Sequence, residues 1–164
     1  MAATDDVDRI VQAWQRERPD LDHEPLHVLS RVSRLARRLD LARSSAFAEH
    51  DLETWEFDVL SALRRAGDPY RLSPGQLTAE TLVTSGTMTN RVDRLESRGY
   101  VVRQPSPSDR RSVLVELTPA GRHAVDSAMA DLLDRERGLL GELAPSDRDQ
   151  LATTLRRLLL TLEP

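Results

Sequence analysis

One stretch of this chain breaks an otherwise helical pattern, and that break constrains the fold more than any other feature. Elsewhere apolar residues recur every three or four positions, as they do on one face of an α-helix. Between residues 100 and 117 the pattern changes to two β-rich runs, 100–103 and 112–117. We expect Pro105 and Pro107 to keep the connecting loop out of regular structure. The sequence therefore predicts a mainly α protein with a β-hairpin.

The helices are predicted from their apolar faces and from the residues that end them. A segment over 54–66 is ended by Gly67, and Pro69 follows. An N-terminal helix over about 7–16 stops before Pro19. Three longer helical faces begin at Val28, Val125 and Leu151. These segments account for most of the chain.

Two short helices precede the predicted hairpin. The first has Ser73 as its N-cap, Pro74 at its first position and Gln76 at the capping-box position. The second runs over 85–98, and Gly99 is typical of a helix C-cap. Its narrow apolar face consists of Met88, Val92 and Leu95. Its other positions carry Thr87, Asn90, Arg91, Arg94 and Arg98.

The order of helix, turn, arginine-bearing helix and arginine-tipped hairpin is that of a winged helix-turn-helix. The major groove of DNA admits one α-helix, in which Asn can bind adenine and Arg can bind guanine through two hydrogen bonds. A hairpin that carries arginine can enter the neighbouring minor groove. The sequence therefore predicts binding to double-stranded DNA.

The charge distribution agrees with that prediction, although the net charge of −4 on 164 residues does not. Residues 84–115 contain six arginines and three acids, so this window is basic within an acidic protein. A solvated face is the alternative interpretation of such a window. All 23 basic residues are arginine, and the absence of cysteine excludes a disulfide framework and a thiol-oxidation sensor. No apolar run reaches the ~18 residues of a membrane span, and the acidic N-terminus does not resemble a signal peptide. We expect a cytoplasmic protein that does not enter a membrane.

The alternatives to a DNA-binding protein are an enzyme and an interaction protein. An enzyme is not predicted, because the chain has no Gly-rich phosphate loop and no Gly-x-Ser-x-Gly motif. No metal or other cofactor is predicted either. His23 and His27 have the spacing of a metal pair on a helix, but we expect Pro25 to disfavour a regular helix there. The second class is a helical homodimeric interaction protein without sequence-specific DNA binding, against which the six arginines of the basic window argue.

Residues 26–162 resemble the MarR family of bacterial transcription factors. The resemblance is carried by the run over 84–99, by Asp109-Arg110-Arg111 and by Leu-Thr-Pro-Ala-Gly over 117–121. It implies a homodimer that binds pseudo-palindromic operators, usually as a repressor. Many members of the family release DNA when a small, often anionic, ligand binds. It also implies a single intertwined domain, in which 1–25 form an extra helix, 26–53 and 118–164 form dimerisation helices, and 54–117 form the winged helix-turn-helix.

The family pattern also implies roles for individual residues. The recognition helix would place Thr87, Asn90 and Arg94 in the major groove, and Arg110 would enter the minor groove. Asp109 would brace the hairpin together with Arg111, which is also a candidate for phosphate contact. Four hydroxyl side chains complete the predicted DNA contacts: Ser73, Thr84, Ser85 and Thr89.

A narrower resemblance is to the urate-responsive, PecS-type branch of this family. The extra helix with Trp14 and the Phe57-Asp58 pair carry it. It implies a ligand pocket, for urate or a small polycarboxylate, at Trp14, Asp58, Arg91 and Arg103. An anionic ligand would pair with Arg103, disturb the charge balance at Asp58 and move the recognition helix through Arg91. The alternatives are packing for Trp14, a structural ion pair of Asp58 with Arg91, and a phosphate contact or a hairpin brace for Arg103. Trp55 is predicted to pack rather than to bind ligand.

Overall fold

The computed structural model describes residues 4–106 and 112–162, which divide into two compact units, Met1–Ser45 and Ala46–Pro164. Its helices are α1 (Asp6–Glu17), α2 (Glu24–Ala48), α3 (Thr54–Arg65), α4 (Pro74–Thr81), α5 (Ser85–Ser97), α6 (Pro119–Leu139) and α7 (Pro145–Leu160). Its strands are β1 (Arg71–Leu72), β2 (Val101–Pro105) and β3 (Val113–Leu117). The prediction of a mainly α protein with a hairpin is confirmed. In the described part of the chain, no helix combines the length and the apolar character that a membrane span requires.

The first unit contains α1 and most of α2. Asp5 caps α1, because its carboxylate accepts hydrogen bonds from the backbone N–H groups of Val7, at 2.8 Å, and Asp8, at 3.1 Å. Arg31 of α2 pairs with Asp5 at 2.8 Å and with Asp8 at 2.7 Å. Val7 and Val11 are each 1% exposed. Ion pairs between α1 and α2 therefore link the two helices of this unit.

The expectation that Pro25 disfavours a helix near His27 is wrong. α2 begins at Glu24, so Pro25 lies in its first turn and His27 lies within the helix. The first backbone N–H groups of a helix have no intrahelical acceptor, so a proline there loses no hydrogen bond.

The core of the second unit lies between α3, α5, α6 and the sheet. Phe47 stacks on Phe57 with ring centroids 4.0 Å apart. Leu60 and Leu63 of α3 are fully buried in the same cluster. The apolar face of α5 rests on this core, which therefore fixes the direction of its outer face.

The sheet is antiparallel, with the strand order β1-β3-β2. It departs from the prediction in two places. β1 is a two-residue strand that pairs Arg71 with Glu116, and it is too short to show a period in the sequence. Pro105 belongs to β2 and lies opposite Val113, whereas we expected it in the loop. β2 is an edge strand, where a residue without an N–H group is tolerated.

The Leu-Thr-Pro-Ala-Gly run joins the start of α6 to the turn that follows α5. Thr118 caps α6 by accepting the N–H of Gly121 at 3.0 Å, and its hydroxyl donates to the carbonyl of Gly99 at 2.8 Å. A Cβ on Gly121 would lie 2.1 Å from the carbonyl oxygen of Tyr100. Only glycine permits this approach, so the run has a structural reason beyond its resemblance to a family.

Several helical faces in the two units are apolar and exposed. In the first unit, α2 exposes Val28, Leu29, Val32 and Leu35. In the second unit, α7 contains no buried residue, and its exposed leucines include Leu151, Leu158, Leu159 and Leu160. Apolar faces of this kind are typical of surfaces that another chain covers.

Candidate nucleic-acid interface

Two capped helices, α4 and α5, form the core of the candidate interface. Ser73 caps α4, with its Oγ accepting the N–H of Gln76 at 3.2 Å while Gln76 Oε1 accepts the N–H of Ser73 at 2.8 Å. Thr84 caps α5 by accepting the N–H of Thr87 at 3.3 Å. Leu82 ends α4 in the left-handed region, with φ 53°, and so turns the chain sharply into α5. The cap predicted at Ser73 is confirmed, whereas Thr84 was predicted to lie in a turn and not to cap α5.

α5 has one buried face and one exposed face. Met88, Val92 and Leu95 are at most 2% exposed, as their spacing predicts. The exposed residues of the helix include Ser85, Gly86, Thr87, Thr89, Asn90 and Arg94. The hydroxyl of Thr87 is 2.9 Å from that of Thr84, and Thr89 donates to the carbonyl of Ser85 at 3.1 Å. Asn90 has no hydrogen bond to the side chains that the structure describes, so its amide is available to a partner.

Arg94 is held at the edge of this face by two residues that the sequence did not single out for this role. Its Nη2 is 2.7 Å from Oε1 of Glu53, and its guanidinium lies 4.7 Å from the centroid of the Trp55 ring. The Trp55 indole N–H donates to Oε2 of Glu53 at 2.6 Å. The Trp55 hydrogen bond, followed by that of Arg94, holds the pKa of Glu53 below its usual value. Glu53 is therefore a charged partner at neutral pH.

Arg98 ties the end of α5 to α3. Its Nη1 is 2.6 Å from Oε2 of Glu56, whose side chain is 1% exposed, and its Nη2 is 2.6 Å from Oδ2 of Asp51. Glu56 also accepts the N–H of Glu53 at 2.9 Å. Because removing Arg98 would leave the buried carboxylate of Glu56 without its charged partner, this contact fixes the end of α5.

The residues predicted to bind a ligand lie in different settings. Trp14 is half-exposed on α1 of the first unit, and Asp58 is exposed on α3 of the second. Arg103 on β2 pairs with Asp93 and Glu96 of α5, and its N–H also donates to Glu96 at 3.0 Å. This contact joins β2 to α5, as expected for the alternative role of Arg103 as a brace of the hairpin. Arg91 lies 5.6 Å from the centroid of the Trp55 ring.

Trp55 is half-buried against the core, as its predicted packing role requires, but it also lies beneath Arg91 and Arg94. No periodic signal marks Glu53 and Trp55, since their partner Arg94 is about forty positions away in the sequence. The predicted hairpin-tip residues Asp109, Arg110 and Arg111 lie outside the described residues.

Comparison with known proteins agrees with this geometry. A sequence model described as the MarR family matches residues 50–112. The HTH-type transcriptional regulator PecS of Dickeya dadantii is 38% identical over 157 residues, which cover 96% of this chain and 95% of PecS. A crystal structure of a mutant MarR from E. coli matches with a TM-score of 0.68 and 28% identity, covering 80% of this chain and 96% of that one.

A further structure similar to this chain is that of Bordetella bronchiseptica BpsR, whose DNA binding is regulated by 6-hydroxynicotinic acid. It is 29% identical, with a TM-score of 0.60, and the match covers 77% of this chain and 91% of BpsR. The similarity to PecS extends over almost the whole of both chains. The chain therefore belongs to the MarR family and is a DNA-binding transcriptional regulator built on a winged helix-turn-helix.

Proposed function

We propose that this regulator represses transcription by placing α5 of each copy of a homodimer in the major groove of a pseudo-palindromic operator. The observation that carries the proposal is the two-sided character of α5, with a buried apolar face and a capped, exposed polar face. The free N–H groups at its start favour a phosphate there. The half-site centres are expected about 10 bp apart, so that both recognition helices meet one face of the duplex.

Within this arrangement, Thr87, Asn90 and Arg94 contact base edges. Arg110 enters the minor groove, with Asp109 and Arg111 bracing the hairpin. Hydroxyl groups near the starts of α4 and α5 contact phosphates; these are Ser73, Thr84, Ser85 and Thr89. All four lie at or near helix N-termini, where Thr84, Ser85 and Thr89 are exposed and Ser73 is half-buried, and this placement supports the assignment.

Dimerisation is assigned to the helices over 26–53 and 118–164. The exposed apolar residues of α2 and those of α7 support this assignment, because each set needs a covering surface. We place the protein in the cytoplasm, with its DNA, and regard it as a regulator rather than an enzyme.

We further propose that a small anion, urate-like or a polycarboxylate, releases the operator through Trp14, Asp58, Arg91 and Arg103. The resemblance to the urate-responsive branch supports an anionic ligand, as does the regulation of BpsR by 6-hydroxynicotinic acid. Because Arg103 already pairs with Asp93 and Glu96 on α5, an anion that took over Arg103 would release two carboxylates on the recognition helix. The ligand acts only to the extent that it prefers one conformation over the other.

Footprinting on DNA upstream of the protein's own gene tests the DNA assignment. Protection of two half-sites is expected, and Arg110→Ala is expected to weaken operator binding by on the order of 1–3 kcal/mol. Unchanged affinity of that variant would remove the hairpin tip from the contact. Absence of binding to this region and to random duplex at low salt would favour the interaction-protein alternative.

The ligand assignment is tested by titrating a preformed operator complex with urate and with citrate. Asp58→Asn and Trp14→Ala are expected to blunt release while they leave operator affinity nearly intact. An equal response of the wild type and both variants would remove these residues from the ligand site.

A further inference from the structure

Three side chains at the edge of α5 form a closed set of contacts, which we call the Arg94 clamp: Glu53, Trp55 and Arg94. The carboxylate of Glu53 accepts from Arg94 Nη2 at 2.7 Å through one oxygen and from Trp55 Nε1 at 2.6 Å through the other. The Arg94 guanidinium also lies 4.7 Å from the centroid of the Trp55 ring. Each member therefore contacts both of the others, and the guanidinium is held both at its edge and at its face.

The clamp lies on the side of α5 that carries its polar residues. Arg94 follows Asn90 by four positions and Thr87 by seven, so the three side chains share one helix face. Trp55 lines one open cleft together with residues of α5, which are Gly86, Thr87, Asn90, Arg91 and Arg94. Arg94 is therefore positioned next to the groups assigned to base contact.

The clamp leaves most of the guanidinium available. Arginine has five N–H donors in a planar fork, and Arg94 uses only Nη2 towards the described side chains. Its side chain is 54% exposed, and that of Glu53 is 58% exposed. Arg98 differs, since its partner Glu56 is buried. Arg94 can thus keep its contact with Glu53 and still donate to an acceptor in a DNA groove.

Holding the guanidinium affects specific and non-specific DNA differently. A guanine edge offers two acceptors, O6 and N7, in a fixed geometry, so a guanidinium already held in one plane loses little freedom when it binds them. At a random site a guanine is usually absent from this position, so Arg94 can gain only a phosphate contact, which an unrestrained arginine reaches more easily than a clamped one.

We propose that Glu53 and Trp55 are specificity-determining positioning residues, which hold Arg94 for bidentate contact with a guanine in each half-site and restrain it from contacting phosphates at random sites. The proposal rests on the placement of α5 in the major groove given above. Neither Glu53 nor Trp55 need contact a base, because both act through Arg94.

The test compares the wild type with Glu53→Gln, Arg94→Ala and the double variant. Affinities are measured for the operator, for operators in which each G·C pair is replaced by A·T, and for random duplex at several salt concentrations. Arg94→Ala is expected to lower discrimination at one G·C position by about tenfold. Glu53→Gln is expected to lower the operator-to-random affinity ratio by on the order of threefold and to steepen the salt dependence on random duplex by about one unit of the log–log slope.

The matched control is Glu49→Gln, because Glu49 is exposed and pairs with Arg135 of α6 rather than with α5. It removes the same charge from the same unit and should leave the affinity ratio unchanged. Trp55→Phe keeps a ring beneath Arg94 but removes the indole N–H, and it should change the ratio in the same direction as Glu53→Gln by a smaller factor. Thermal melting confirms that each variant is folded.

The double variant distinguishes the possible mechanisms. If Glu53 acts through Arg94, Glu53→Gln has no further effect on the ratio once Arg94 is alanine. The proposal is overturned if Glu53→Gln lowers the operator-to-random affinity ratio equally in the wild type and in Arg94→Ala. It is also overturned if Glu53→Gln alone leaves that ratio unchanged. If Arg94→Ala binds the operator with full affinity, both this proposal and the placement of Arg94 in the groove are overturned. If Arg94→Ala loses discrimination but Glu53→Gln changes nothing, only the positioning role of Glu53 and Trp55 is overturned.

Discussion

α5 and α7 are amphipathic helices of similar length that meet opposite surroundings. α5 has 13 residues, and its three apolar side chains are almost completely buried. α7 has 16 residues and buries none of them, although its exposed leucines are as apolar as the buried residues of α5. One chain is therefore sufficient to position the recognition helix, whereas the apolar face of α7 requires a second surface.

α6 combines the two settings, because one end is packed within the chain and the other end exposes apolar residues. Its first turn packs tightly at Gly121, while Leu139 near its end is exposed. If the dimer interface is as proposed, α6 runs from the packed core of one chain to that interface. Substitutions on the two sides should act on different quantities, stability on one and assembly on the other.

The largest expected effect is on the α5 side. Leu95→Ala should lower the free energy of unfolding by about 3 kcal/mol, because it leaves a cavity beneath the recognition helix. Urea titration followed by circular dichroism measures the change. Leu82→Ala is the control, since Leu82 is 90% exposed at the adjoining turn and should change stability by less than about 0.5 kcal/mol. Similar costs for both variants would contradict the comparison.

The next effect is on the α7 side. Leu159→Glu should separate the dimer and reduce operator affinity by about a hundredfold, because two half-sites are no longer bound together. Sedimentation and gel-shift titration measure the two quantities, and the helical content of the monomer should remain. Gln150→Glu adds the same charge on the opposite side of α7 and should leave the dimer intact. A Leu159→Glu protein that stayed dimeric would remove α7 from the interface.

Substitution of two glycines compares the packed start of α6 with its exposed end. Gly121→Ala should destabilise the fold by about 2 kcal/mol, because its methyl group would collide with the Tyr100 carbonyl. Gly138→Ala meets nothing within 4 Å and should stabilise the helix by about 0.5 kcal/mol. Thermal melts of the two variants, run in parallel, should shift in opposite directions. Equal shifts would show that the start of α6 is not tightly packed.

The smallest effect concerns the first unit, where charge holds α1. The hydrogen bond from Arg31 lowers the pKa of Asp5, and the Asp5 N–H followed by Arg31 lowers that of Asp8. These contacts stabilise α1 above the ordinary aspartate pKa of about 4 and are lost as pH falls below it. Trp14 fluorescence in a Trp55→Phe background should report loosening as the pH is lowered from 6 to 3. In Arg31→Ala the transition should move to higher pH, and an unmoved transition would exclude this ion pair as its cause.

The sequence was most informative where the determinants are local. Ser73 begins α4 and Gly99 follows the end of α5, each through contacts with residues a few positions away, so their roles could be predicted from spacing alone. The buried face of α5 followed from its period for the same reason. Pro105 was misplaced because its tolerance in β2 depends on the strand lying at the sheet edge, which is a tertiary fact.

The polar contacts of the candidate site were mostly beyond prediction. Arg94 meets Glu53, and Arg98 meets Glu56, across about forty residues of sequence. Arg103 was assigned to a ligand, and the structure pairs it with Asp93 and Glu96. Charged side chains on a helix show no period that identifies distant partners, so a basic window reveals that arginines are present but not how many are already neutralised.

The close contact at Gly121 fixes the start of α6, so a displacement of its far end tilts the whole helix about that contact. A helix of 21 residues is about 31 Å long, so a displacement of about 3 Å at its Leu139 end tilts it by about 6°. Since Gly121 abuts the carbonyl of Tyr100 and Thr118 is bonded to Gly99, the start of α6 cannot slide past the turn that follows α5. A tilt of α6 is therefore transmitted to that turn and, through it, to the end of α5.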